Sequence, residues 1–361
     1  MAADNENGSE PDQLPGVPHP RAQFALFGHH EAEDAFLAAW RAGRLHHAWL
    51  IGGPEGIGKA TLAYRVARFL LADRPGATGT GASLAIGADH PVARQVAALS
   101  HPNLAVLRRA PATDKKAASA TIPVEAVRRA VSLFGSTAAD GGYRVCIVDS
   151  AEDLTIASAN ALLKLVEEPP PRSAFLIVSH APQRVLPTIR SRCRRLQLPP
   201  LSDDDLRAVI GSLGPPWADI EPPKLDRAIA TAEGSVRRAI EMLDDSNQAL
   251  VAEVKAMLEA LPRVDEKRVL ALAENLARRD AEAAYALMLD TLSAWVSQQL
   301  NEKAALGPAR LAPLVEVCEK VARAARDTDV YNLDRRPLVL ATFGDLAAAV
   351  RRLREPEQSF A

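Results

Sequence analysis

The chain has 361 residues, of which 48% are hydrophobic and 24% are charged, and its formal net charge at pH 7 is −2. This length predicts two or three domains with buried cores, and the balanced charge argues against a strongly basic protein that binds nucleic acid over its whole surface. Aromatic residues make up only 4%, which disfavours a platform that stacks the bases of a single strand.

The first residues, 1–23, are polar and rich in proline, and they predict a disordered tail rather than a signal peptide. The chain contains three cysteines, Cys146, Cys193 and Cys318, whose scatter favours neither a disulfide framework nor a four-cysteine zinc site. No apolar run reaches the roughly 18 residues that a membrane span needs. We therefore expect a soluble protein of the reducing cytoplasm, with no membrane partner.

Between residues 24 and 197, short apolar segments alternate with helical patterns. This alternation predicts a parallel β-sheet covered by helices on both faces. The predicted strands are AWLIGG, YRVCIVDSAEDL, which runs into a turn, SAFLIVSHAP and RCRRLQLPPL. The predicted helices are EAEDAFLAAWRA, KATLAYRVARFLLA, TIPVEAVRRAVSLFGS and TIASANALLKLVEEPPP.

Residues 198–361 carry helical patterns, and no convincing strand follows residue 249. The change of pattern predicts a small helical domain over 198–245 and a helical C-terminal domain over 246–361.

The segment GPEGIGK, residues 53–59, lies between a predicted strand and a predicted helix. In that context Gly53, Gly56 and Gly58 let the backbone turn its N–H groups toward a phosphate, and Lys59 reaches the outer phosphates of a nucleotide. The pattern therefore predicts a phosphate-binding loop, or P-loop. A glycine-rich turn with a chance lysine is the alternative.

The residues that would hold and use Mg²⁺ depart from this pattern. Ala60 stands where a hydroxyl would bind the ion, and Thr61 is one residue late on the helix. Asp149 ends an apolar strand, where such ATPases place a magnesium aspartate, but its neighbour is Ser150 instead of a glutamate that activates water. Asp149 could equally cap the next helix. The sequence leaves ATP binding open and predicts a defective Mg²⁺ site.

Four arginines fall within six residues of PTIRSRCRRLQL, next to a predicted strand. An arginine placed there can reach across a subunit boundary to a phosphate held by a neighbour. A basic cluster on the solvated surface is the other interpretation.

The order of these segments resembles the bacterial DNA polymerase III clamp-loader family of AAA+ subunits, and within it the delta prime subunits. The resemblance rests on RLHHAWLIGGPEGIGKATLA, SHPNL, VDSAEDLTIASANALLKLVEEPP, FLIVSHAPQRVLPTIRSRCRRL, EGSVRRAIEML and NLDRRPLVL, which span most of residues 24–345. It implies an α/β P-loop AAA+ domain with a parallel sheet, followed by a small helical lid and an all-α oligomeric collar.

The resemblance also implies roles for single residues. Arg192, in Ser191-Arg192-Cys193, matches an arginine finger that acts in trans, Ser179 falls where a polar sensor stands, and Arg237 matches the sensor arginine of the lid. The implied nucleotide-binding residues are Gly53, Gly56, Gly58, Lys59, Thr61, Asp149, Ser179 and Arg237.

The implied partners are the gamma/tau and delta subunits, the sliding clamp and, through the assembly, primer-template DNA. Many relatives carry a zinc module after the first helix of the domain, but DRPGATGTGASLAIGADHP contains no cysteine, so we expect no zinc. The histidine pairs, His29–His30 and His46–His47, lack supporting ligands and predict no metal site.

Ala60 and Ser150 disfavour hydrolysis of ATP by the chain itself, and whether it is an enzyme stays open. One alternative is a self-sufficient ATPase motor of the same complex, which should have a hydroxyl at position 60 and a glutamate at 150. Another is a DNA-binding regulator with an AAA+ fold, which should carry a basic C-terminal domain. The C-terminal segment NEKAALGPARLAPLVEVCEKVARAARD is instead mixed in charge.

Overall fold

The computed structural model describes residues 10, 13–73, 83–110, 119, 121–135, 141–278, 280–331 and 333–354, with only the backbone for residues 329 and 330. The chain divides into two compact units, Met1–Glu241 and Met242–Ala361. Each unit contains its own hydrophobic core.

The first unit is built on a five-stranded sheet with the order β2-β3-β4-β1-β5. All pairings are parallel, so the carboxyl ends of the strands lie at one edge. The strands are β1 (Ala48–Gly52), β2 (Leu104–Arg108), β3 (Arg144–Asp149), β4 (Ser173–Ser179) and β5 (Arg194–Gln197).

The two faces of the sheet are buried under different helices, because successive side chains of a strand point to opposite faces. Trp49 and Ile51 pack in one core, with helices before and after β1, whereas Ala48 and Leu50 pack in the other. The helices around the sheet are α1 (His30–Arg41), α2 (Lys59–Ala72), α3 (Pro91–Ala97), α4 (Val124–Gly135), α5 (Ile156–Glu167) and α6 (Pro187–Arg190).

Three further helices of the first unit surround a smaller core that includes Leu206, Ile210 and Ile229. Ser202 caps the first of them, since its hydroxyl accepts a hydrogen bond from the Asp205 N–H. The helices are α7 (Asp203–Ser212), α8 (Pro222–Ala232) and α9 (Val236–Glu241).

The second unit is helical throughout its described residues. Its core contains Leu292, Phe343 and Leu346, each at most 2% exposed. Its helices are α10 (Asp245–Glu259), α11 (Glu266–Leu276), α12 (Glu282–Glu302), α13 (Pro308–Tyr331) and α14 (Arg335–Arg354).

The predicted fold class is confirmed: a parallel P-loop sheet is followed by a small helical group and then by a helical C-terminal part. The sequence reading missed one strand, β2. It lies at the edge of the sheet, and only Leu107 among its five residues is buried, so its apolar pattern is weak. The predicted domain boundaries at 197 and 245 stay predictions.

The N-terminal residues differ from the expected disordered tail wherever the structure describes them. Residues Pro20–Ala22 form a 3-10 helix, and Leu14 and Val17 pack against the core of α7, α8 and α9. Residues 1–9, 11 and 12 lie outside the described residues, and so do 74–82, within the stretch where a zinc module would be inserted.

Candidate functional site

A cavity of about 210 Å³ lies at the carboxyl edge of the sheet. Gly52, the last residue of β1, pairs with Ser179 at the end of β4, so the loop after β1 emerges beside the ends of the other strands. From the sequence-predicted site, the cavity lining includes Gly56, Gly58, Lys59, Thr61, Asp149 and Arg237. The structure thus brings six of the predicted residues to one cavity, while Gly53 and Ser179 do not line it.

The P-loop adopts a backbone conformation that requires glycine at two positions. Gly56 has φ +75°, and a Cβ there would lie 2.3 Å from the Ser235 hydroxyl. At Gly53, with φ +146°, a Cβ would lie 2.6 Å from the carbonyl oxygen of Leu198. The N–H of Val236 also donates to the Gly56 carbonyl at 3.0 Å. The loop is therefore packed directly against the start of α9.

Lys59, the first residue of α2, is 3% exposed. Its Nζ donates to the carbonyl of Gly53 at 2.8 Å and to that of Pro54. Burial lowers the pKa of Lys59 to about 8, although Glu55 and Asp149 act in the opposite direction. The ammonium group is thus held by the carbonyls of its own loop, and a phosphate in the cavity would compete with them for it.

Ala60 lines the cavity and offers a methyl group where a ligand of Mg²⁺ would need an oxygen. Thr61 lines the cavity one residue further along α2, and Asp149 lies at its sheet end. Ser150 is buried, and its hydroxyl donates to Asp153 Oδ2 at 3.3 Å, within its own turn. These side chains do not supply the adjacent hydroxyl and paired acidic residues that Mg²⁺-dependent hydrolysis uses.

Ser179, the predicted sensor, is fully buried, and its hydroxyl donates to Glu152 Oε1. The same oxygen accepts a hydrogen bond of 2.7 Å from the N–H of Ala181. Burial raises the pKa of Glu152, but the bonds from Ser179 and Ala181 outweigh it and the pKa is lowered overall. The serine is therefore committed to a carboxylate that the sequence reading did not assign to the site.

Arg237, at the start of α9, extends over the cavity from the helical group. Its Nε lies 3.1 Å from Glu241 Oε1 and 3.7 Å from Glu55 Oε1. Burial raises the pKa of Glu241, while Arg237 lowers it. Two carboxylates thus face this guanidinium, one from its own helix and one from the P-loop.

One wall of the cavity comes from residues 13–23, which we call the N-terminal strap. Seven of its residues line the cavity: Gln13, Leu14, Val17, Pro18, His19, Pro20 and Gln23. The proline-rich composition is typical of disorder and hid this role. Two apolar residues among the prolines, Leu14 and Val17, were the available signal for packing.

The strap is held near its end and in its middle. Near the end, Arg21 donates to the carboxylate of Glu10, at 2.8 Å from Nη2, and the same carboxylate accepts a hydrogen bond from Arg108, at 2.6 Å from Nη1. In the middle, the indole N–H of Trp217 donates to the carbonyl of Gly16 at 3.0 Å. These contacts connect the sheet, through Arg108, to the helical group, through Trp217.

Arg192, the predicted trans-acting arginine, lies in the turn between α6 and β5, outside the cavity lining. Its side chain is 41% exposed. Nη2 lies 2.8 Å from Glu167 Oε1, and Nη1 donates to the Thr188 carbonyl at 3.0 Å. The guanidinium therefore lies at the surface of the unit, where Glu167 and the Thr188 carbonyl hold its two terminal nitrogens.

The other arginines of the cluster differ in their surroundings. Arg190 donates to the carbonyl of Gln183 at 3.1 Å, and the Arg194 guanidinium lies 4.9 Å from the centre of the Trp49 ring. Arg195 is exposed. Burial raises the pKa of the Cys193 thiol to about 12, which disfavours a nucleophilic role.

Within the described ranges, no group of three or more His, Cys, Asp or Glu side chains is arranged to hold a metal ion. No helix in the described part of the chain is both long enough and apolar enough to cross a membrane.

The sequence matches the family model described as DNA polymerase III, delta subunit, over residues 28–202. The delta prime subunit of DNA polymerase III from Pseudomonas aeruginosa is 41% identical over 147 residues, 41% of each chain. The delta prime subunit from Yersinia pestis is 33% identical over 245 residues, 66% of each chain. The tau subunit from Escherichia coli is 29% identical over 342 residues, 93% of this chain and 47% of tau.

The matched segments span roughly half the length of these relatives, with 41% of the first, 66% of the second and 47% of the third. The family model covers the P-loop sheet region of this chain, which agrees with the resemblance drawn from the motifs. The chain is therefore a delta prime-like protein, similar to the delta prime, gamma and tau subunits of DNA polymerase III.

Proposed function

We propose that this chain is a clamp-loader subunit that lends Arg192 to ATP bound by a neighbouring gamma/tau subunit. In that role it helps to open the sliding clamp and to load it on primer-template DNA, with the delta subunit as a further partner. The assembly would be a cytoplasmic hetero-oligomer in which contacts with DNA are made mostly to phosphates and weaken with salt.

The observation that carries the proposal is the contrast between two places in the same unit. Arg192 is exposed at the surface, 41% of its side chain being accessible. In the chain's own cavity, Ala60 stands where a hydroxyl would bind Mg²⁺, and next to Asp149 the chain has Ser150 instead of a glutamate that activates water. An arginine that acts on a neighbour's phosphates requires no ATP hydrolysis by its own subunit.

The cavity itself supports a nucleotide-binding role without turnover. Gly53, Gly56 and Gly58 shape the loop, and Lys59 and Arg237 supply positive charge at its two sides. We propose that ATP, if bound, is held with little help from Mg²⁺, through these residues together with Thr61 and Asp149. Ser179 would act on it only after leaving Glu152.

The test is the substitution Arg192→Ala in a clamp loader reconstituted with its gamma/tau and delta subunits. Because a trans-acting arginine stabilises charge in the transition state, its loss should lower ATP turnover at the neighbouring site by about 10³-fold or more, and clamp loading with it. The folding of the free subunit should not change, since the side chain is exposed.

The matched control is Arg195→Ala, which removes an exposed arginine three residues away. It should leave ATP turnover unchanged. Normal turnover and normal clamp loading with Arg192→Ala would refute the proposal.

The alternative is a self-sufficient ATPase motor of the same complex. It is favoured only by the P-loop and by the alignment with tau, which covers 93% of this chain and 47% of tau. Turnover by the isolated chain that is abolished by Lys59→Ala would support this alternative.

A further inference from the structure

Arg192 is held by a carboxylate from another element of the same unit. Glu167, the last residue of α5, places Oε1 2.8 Å from Arg192 Nη2. On the other side of the guanidinium, Nη1 donates to the Thr188 carbonyl at 3.0 Å and lies 3.4 Å from the Ser191 hydroxyl. These contacts fix the side chain between the end of α5 and the turn after α6.

The contacts engage the two terminal nitrogens of the guanidinium and leave its Nε–H without a partner among the described residues. A guanidinium donates up to five N–H groups in a planar fork. Arg192 thus keeps its Nε–H, which its own fold does not use and which can donate to an oxygen of a phosphate from outside.

The position of Glu167 is not explained by helix stability. The C-terminal end of a helix carries partial negative charge, so an acidic residue in the last turn is unfavourable there. The contact with Arg192 offsets this cost. Glu168, the next residue, is also exposed, and no side-chain hydrogen bond or ion pair joins it to the described residues.

We infer that Glu167 is a positioning residue for Arg192: its carboxylate holds the guanidinium so that the free Nε–H faces the neighbouring subunit. The inference rests on the proposed function of Arg192. A long arginine side chain loses conformational entropy when it is fixed in one position. If a partner has already fixed it, less entropy is lost when the arginine binds the phosphate.

The experiment is a double-mutant cycle on ATP turnover in the reconstituted complex, with Glu167→Ala, Arg192→Ala and the double variant. An exposed ion pair has a small effect, so Glu167→Ala should lower kcat by roughly twofold to fivefold. KM should stay the same, because positioning a group that acts in the transition state affects kcat. In the Arg192→Ala background, Glu167→Ala should have no further effect.

Two further variants distinguish positioning from a general structural role. Glu167→Gln keeps a hydrogen-bond acceptor at the same reach and should recover part of the loss in kcat. Glu168→Gln removes the adjacent exposed charge and should leave kcat unchanged. The thermal midpoint of the free subunit should be the same for all of them.

Each result decides one question. If Arg192→Ala lowers turnover but Glu167→Ala does not, or if Glu167→Ala still lowers kcat without Arg192, the inference is overturned while the proposed function stands. If Arg192→Ala has no effect on turnover, the proposed function fails and the positioning role fails with it.

Discussion

At the scale of single residues, Lys59 in the cavity has a strongly shifted pKa, because burial lowers it to about 8. In the unfolded chain a lysine has a pKa of about 10.4. Below pH 8 the lysine is protonated in both the folded and the unfolded state, and the folded state bears the full cost of burying the charged ammonium group. Between about pH 8 and 10.4 the unfolded state binds more protons, so the free energy of unfolding rises with pH.

We therefore predict that the wild type gains stability over Lys59→Met as the pH increases from 8 to 10. The gain should approach about 1.4 kcal/mol per pH unit, because one pKa unit corresponds to that free energy. Urea denaturation at pH 7, 8, 9 and 10 measures the difference. Lys164→Met, at an exposed lysine, serves as the control and should show no such trend. Parallel curves for the wild type and Lys59→Met would contradict the prediction.

Sequence motifs identified residues of the predicted sites, but they did not identify the side chains that form hydrogen bonds or ion pairs with those residues. Lys59 and Arg192 were predicted because short local patterns define their positions. Glu152 binds Ser179, which is 27 residues away, and Glu167 binds Arg192, which is 25 residues away, so folding alone brings these pairs together. A single sequence contains no local signal for such contacts.

Among the structural elements, the N-terminal strap depends on one ion-pair cluster. Glu10 has a side chain 16% exposed and accepts hydrogen bonds from Arg21 and Arg108. The hydrogen bond from Arg21, helped by the one from Arg108, holds the pKa of Glu10 far below its ordinary value, although burial raises it. A carboxyl with a lowered pKa stabilises the fold above its unfolded pKa and loses this contribution as the pH falls below it.

We predict that Glu10→Gln lowers the free energy of unfolding at pH 7 by about 1–3 kcal/mol, because it leaves two guanidinium groups short of a charged acceptor. Amide hydrogen exchange should become faster in residues 13–23. The difference from wild type should shrink below about pH 4, because Glu10 then takes up a proton in the unfolded chain while it is still charged in the folded chain. Glu253→Gln, at an exposed position in α10, is the control. Unchanged exchange in residues 13–23 would show that Glu10 does not hold the strap.

Four of the five strands and most helices of the first unit could be predicted from period and length, but β2, the short helices α3 and α6, and the strap were missed. The helix predicted over KATLAYRVARFLLA coincides with Lys59–Ala72, because its apolar residues follow the helical period and a glycine precedes it. β2 has one buried residue, and the strap is ordered by contacts with Trp217 and Arg108, far along the chain. The local composition of the sequence therefore predicts neither β2 nor the ordered strap.

At the scale of the whole molecule, the two compact units have separate cores. Deleting a buried side chain from one core removes contacts and leaves a cavity within that unit, so the loss of stability should be confined to it. Chains with several domains commonly unfold in more than one step, which makes such a confined loss measurable.

We predict that Leu346→Ala, at a fully buried position of α14, destabilises Met242–Ala361 by about 2–5 kcal/mol, because large-to-small changes in a core have this effect. Amide hydrogen exchange should quicken in α10–α14 and stay unchanged in β1, β3 and β4. Leu340→Ala lies on the same helix with 41% exposure and should change stability by no more than about 0.5 kcal/mol. Faster exchange in the strands after Leu346→Ala would mean that the two cores unfold together, which would contradict the division of the chain into separately stable units.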